Sequence, residues 1–138
     1  MHVIPAEPGQ LTPGWRIATA IVWGLVFVAY IAVWKTSREL GLNTWWLGPL
    51  GEPAGWYVSI LPFIAPIAMM LLAVNNRKGL PWFGLAGAAW CAAIGLFDLG
   101  RVWRLGLVEI AIAAAAALAA VGSISGRLRP VGAEQRVE

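Results

Sequence analysis

Apolar positions fall into four long runs, at 17–34, 56–74, 80–97 and about 105–124, separated by short polar or turn-rich stretches. Each run is close to the roughly 20 residues that a helix needs to cross the hydrocarbon of a bilayer. The pattern predicts an all-α fold: four transmembrane helices in a compact membrane bundle, formed by a single domain over 1–138. The first run is bounded by Arg16 and Lys35 and holds no charge. Residues 1–15 contain no Lys or Arg, unlike the basic start of a secretory signal, so an uncleaved anchor is expected. Asp98 to Arg104 is the whole link between the third and fourth runs, which predicts a tight hairpin.

The runs carry internal punctuation. Pro62 and Pro66 sit one turn apart in the second run, where each removes a backbone donor, and a helix kink is expected there. Ser59 is close enough to take up a freed polar group. Small residues recur four apart at Gly84, Ala88 and Ala92 and at Gly87, Cys91 and Gly95, while Ala113 to Ala117, Ala119 and Ala120 fill much of the fourth run. Such spacing favours close backbone approach between membrane helices. Trp15 and Trp82 fall at one boundary and Trp34, Trp56 and Trp103 at the other, as interfacial indoles do. Trp23 and Trp90 lie within runs and are read as packing or lipid-facing side chains.

Composition sharpens this reading. The 138 residues are 59% hydrophobic and only 12% charged, with mean hydropathy +0.72, which excludes a small water-soluble globule. The net charge of +3 comes from basic residues at the ends of runs, and nucleic-acid binding is not expected. Six basic residues flank the side that holds the termini and four the opposite side, so both termini are placed in the cytoplasm of a multi-pass protein of the cell (plasma) membrane. One cysteine, Cys91, and one histidine, His2, leave no material for a disulfide, a multi-histidine metal site or a Ser-His-Asp triad. No catalytic, metal or cofactor-binding residues are expected, and no cofactor.

Two places hold candidate chemistry. Residues 35–55 form a connection too long to be a turn, and its centre, with Asn43, Trp45 and Trp46, is apolar and aromatic. It is expected on the membrane surface or against the bundle, as an interfacial plug or as a docking surface for a partner. Asp98, Arg101, Arg104 and Glu109 form the charge cluster at the third hairpin. Glu109 lies inside a span, where an acid is expensive and points to function. The sharper reading makes Asp98 and Glu109 a proton or cation site. The preferred one is a structural network, with Arg101 or Arg104 folding back on the acids and Asp98 paired to Arg101 at i, i+3. Residues 125–138 lack apolar periodicity and are expected to be flexible.

The loop Asn43-Thr44-Trp45-Trp46-Leu47-Gly48-Pro49, the segment Leu61-Pro62-Phe63-Ile64-Ala65-Pro66 and Asp98-Leu99-Gly100-Arg101 together resemble a group of small four-helix integral membrane proteins of actinobacteria. The resemblance covers about residues 15–125 and implies topology only, since no activity is attached to the group. The expected function is a non-catalytic accessory or assembly subunit of a larger membrane complex, or a self-associating bundle. Its partners are then the lipid bilayer and a membrane protein or further copies of itself. The alternative is a small oligomeric transporter or channel using Glu109, and after it a membrane enzyme on a lipid or quinone. Four-span multidrug exporters are similar in size, but they carry an acid in their first span and this chain has none.

Overall fold

A computed structural model describes residues 7–130, and within them the regular structure is helical. Five helices follow in order: α1 (Pro13–Glu39), α2 (Trp56–Ser59), α3 (Leu61–Val74), α4 (Leu80–Leu99) and α5 (Trp103–Ile124). Three of them, α1, α4 and α5, are long and apolar enough to cross a membrane. Proline marks where three helices begin: Pro13, Pro62 and Pro81 each lie in a first turn. The missing N–H costs nothing there and the fixed φ suits the helix.

That rule alters the second apolar run. It is divided at Ile60 into the single turn α2 and the 14-residue α3, because Pro62 withholds the donor that would continue α2. The break therefore precedes both prolines. Pro66 lies inside α3, which continues past it to Val74. Ser59 does not repair the backbone as expected. Its hydroxyl donates instead to the carbonyl of Trp46 at 3.1 Å.

The helices close a ring in which α1 packs on α3, α3 on α4, α4 on α5 and α5 on α1. Each contributes one stripe at helical spacing. On α1 it is Trp23, Val26, Tyr30 and Val33, and on α3 it is Ala65, Met69 and Ala73. Two acids end the stripes of the remaining pair: Asp98 follows Gly87, Cys91 and Ile94 on α4, and Glu109 precedes Ala113, Ala116 and Ala120 on α5. Three residues connect α4 to α5, and the helices meet most closely there. A Cβ on Gly106 would stand 2.7 Å from the Leu99 nitrogen and 2.9 Å from the Gly95 oxygen, so only glycine permits this approach.

The outer faces carry large apolar side chains: Ile21 and Leu25 on α1, Ile64 and Leu71 on α3, Phe83 and Trp90 on α4, Leu107 and Leu118 on α5. Trp34, Trp56, Trp82 and Trp103 are also exposed, whereas Trp23 is buried between helices. Trp90 presents its ring outward and donates its N–H to the Leu61 carbonyl at 2.9 Å, tying α4 to the start of α3.

Residues 125–130 differ from expectation. Leu11 and Arg127 form an antiparallel bridge, with backbone bonds from Gly9 N to Leu128 O, Thr12 N to Gly126 O and Leu128 N to Gln10 O at 2.8–3.1 Å. Satisfying backbone groups on a partner strand is enough to order a segment without apolar periodicity. The remainder of that tail, with Arg136, and His2 at the other terminus lie outside the described residues.

Candidate functional site

The link between α1 and α2 supplies the centre of the site. Beyond the end of α1 the chain turns back on itself: Leu42 N–H donates to Ser37 O, and the Ser37 hydroxyl donates to Leu42 O, both at 2.8 Å. One helical turn follows, with Leu47 N–H and Gly48 N–H reaching Thr44 O at 3.3 and 2.9 Å. Gly48 then takes φ +68, and a Cβ there would lie 2.7 Å from the Ala54 nitrogen and 3.0 Å from the Glu52 oxygen. That crowding arises because Ala54 N–H closes the excursion by bonding Leu47 O at 2.8 Å. Arg38, on the last turn of α1, donates to the carbonyls of Leu47 at 2.7 Å and Gly48 at 3.3 Å. The helix terminus thereby grips its own loop.

Held in this way, Thr44, Trp46 and Leu47 are buried and Trp45 partly so. Trp46 points into the bundle. Its ring meets Tyr30 of α1 and Phe63 of α3 edge-to-face, with centroids 6.5 and 6.2 Å away. Its indole N–H donates to Glu109 Oε1 on α5 at 3.1 Å. Trp45 binds α4 three times: its backbone N–H donates to Asp98 Oδ1 at 2.8 Å, its indole N–H to Ile94 O at 3.2 Å, and its ring lies 5.6 Å from Phe97. Two consecutive indoles thus touch all four long helices. The Tyr30 hydroxyl adds a long bond of 3.5 Å to Cys91 O.

Asp98 and Glu109 are fully buried. They lie where α4 and α5 pack closely, a Cβ on Gly95 standing 3.0 Å from the Glu109 Cβ, and they accept bonds from the adjacent loop residues Trp45 and Trp46. The arginines are not their partners, contrary to the expected network. Among the described residues the ion pairs are Lys35–Glu39 and Lys78–Glu7, and Arg101 and Arg104 are exposed, with the Arg104 guanidinium stacked 5.5 Å over Trp103. An arginine at a helix end reaches the headgroup region at little cost, whereas drawing it inward would strip its water. Neutral N–H donors from the loop take the arginines' expected place. One oxygen of each acid, Asp98 Oδ2 and Glu109 Oε2, has no hydrogen-bond donor, and neither has the buried Thr44 Oγ1.

Of the residues singled out in the sequence, Asp98, Glu109, Trp45 and Trp46 come together. Asn43 is exposed, and Pro62 and Pro66 belong to the α3 stripe. Tyr30, Ser37 and Arg38 were not singled out. Arg38 carried a usable signal, since a cation in a last helical turn beside a long loop has free carbonyls within reach. Tyr30 carried none. Among the described residues no group of three or more His, Cys, Asp or Glu is placed to hold a metal ion. Apolar surface grooves run between α1 and α3, between α1 and α5 and between α4 and α5, and neither acid lines them. No protein-family profile matches the sequence, and no curated protein or solved structure matches it.

Proposed function

We propose that the chain is a non-catalytic integral membrane protein that crosses the bilayer four times and serves as an accessory or assembly subunit of a larger membrane complex, or as a self-associating bundle. The observation that carries this reading is a division of labour. The buried polar side chains at the loop end bond to the protein's own loop, while all four long helices expose large apolar side chains. The fourth crossing uses α2 and α3 together: residues 56–74 rise about 28 Å at helical pitch, against roughly 30 Å of hydrocarbon. The charge bias supports cytoplasmic termini. Extraction in mild detergent, followed by native gel electrophoresis and mass spectrometry, tests the assembly role. A species larger than the monomer, or a stoichiometric co-purifying protein, is expected; a stable monomer alone contradicts it. A C-terminal reporter active only outside the cytoplasm contradicts the orientation.

A small oligomeric transporter or channel using Glu109 is the second reading. It is favoured by the uncommitted oxygens of Asp98 and Glu109. Flux across liposomes containing the purified protein separates it from the first. An enzyme acting on a lipid or quinone needs an acid open to its substrate, and the burial of both acids speaks against it.

A further inference from the structure

Two carboxyl groups held by one loop are fully buried, and among the described residues no basic side chain is in ion-pair contact with them. Each gives one oxygen to a neutral donor of the loop, Trp45 N–H or Trp46 Nε1–H. The other two oxygens, Asp98 Oδ2 and Glu109 Oε2, receive nothing, although consecutive residues of one loop hold the two carboxyl groups. Were both groups ionised, four acceptor oxygens would face one another with two donors among them. Like charges held by consecutive residues of one loop in a dry site do not both persist, and a pair of carboxyls so placed holds a proton in common. One proton converts the repulsive contact into a short O–H···O⁻ bond. It leaves a single negative charge, which the two loop N–H groups already address.

We propose that Asp98 and Glu109 form a proton-binding site, occupied by one proton between their unpartnered oxygens and closed by the Trp45–Trp46 loop. The surroundings favour a proton over a larger cation. The groups around the pair are the indole and backbone N–H donors of the loop, Tyr30 of α1 against the Trp46 ring, Cys91 in the same buried stripe of α4 as Asp98 and, exposed beyond the end of α4, Arg101. N–H groups and an arginine repel a metal ion, and two carboxyl oxygens fall short of its coordination shell. The proton enters from water on the loop's side, as H⁺ added to a dianionic pair. The site is independent of whether the bundle assembles with a partner.

Infrared spectroscopy of the full chain in lipid nanodiscs tests this. Asp98 is the only aspartate in the sequence, so aspartate labelled with ¹³C at its carboxyl reports that residue alone in the unaltered protein, and labelled glutamate reports the other half. At pH 7.5 a carbonyl-stretch band of a protonated carboxylic acid is expected, moved by one or both labels. It disappears in Asp98→Asn and in Glu109→Gln, because an amide N–H then supplies the donor that the proton supplied. The proposal is overturned by the absence of that band from the wild type, by its failure to respond to either label, by its survival in both variants, or by its appearance only when sodium is replaced by choline, which would make the ligand a metal cation.

Discussion

The two ends of the bundle are built in opposite ways. At one, N-terminal residues 9–12 pair with 126–128 through a few backbone bonds, and Lys78 meets Glu7 at 2.5 Å with both side chains more than half exposed. At the other, a loop drives the Trp46 indole between the helices and gives its N–H to buried Glu109, while the Trp45 backbone N–H goes to buried Asp98. A short ion pair in water contributes between zero and about 1 kcal/mol, since solvent screens it and two flexible side chains must be held still. A hydrogen bond to a buried carboxylate is worth about 1.5–3 kcal/mol, because the acid has no water to fall back on. The end with the shorter contact is therefore the weaker one, and stability follows desolvation and partner count rather than distance.

Substitutions at the two ends break or sharpen this contrast, read as equilibrium unfolding in mixed detergent micelles. Trp46→Ala has the largest effect, a loss of about 3–5 kcal/mol, since it removes the side chain that joins α1, α3 and α5 and strips Glu109 of its donor. Trp46→Phe keeps most of the ring and loses the N–H, so its cost of about 1.5–3 kcal/mol isolates the bond to the acid. Gly48→Ala costs at least about 1 kcal/mol, from φ +68 and the Ala54 backbone in the path of the new methyl. Lys78→Ala changes stability by less than about 1 kcal/mol. Equal losses at Trp46 and Lys78 would erase the distinction between the ends.

Much of the architecture was legible in the apolar runs, because the length of hydrocarbon to be crossed constrains helices strongly. The division at Ile60 was less so: Pro62 reads as a kink or as a helix start, and the choice depends on what α2 packs against. The site was half legible. Trp45 and Trp46 stood out in a loop too long and too aromatic for a turn, and Asp98 and Glu109 as acids beside membrane helices. Their helical phase held more than was taken from it. Asp98 falls in step with Cys91 and Ile94, and Glu109 with Ala113 and Ala116, which places both acids inward and away from arginines free to reach water. The pairing of the acids with the loop N–H groups lay beyond reach, since it joins residues 53 and 63 positions apart and depends on how deeply the loop inserts.

Hydrogen–deuterium exchange of the full chain in nanodiscs, resolved to the Trp45 amide, tests most directly whether the loop is sealed by the acids. The account predicts that Trp45 exchanges as slowly as the centre of α4 while exposed Lys78 exchanges fast, and that Asp98→Ala returns Trp45 to the fast class. Exchange of Trp45 at the rate of Lys78 in the unaltered protein would contradict it.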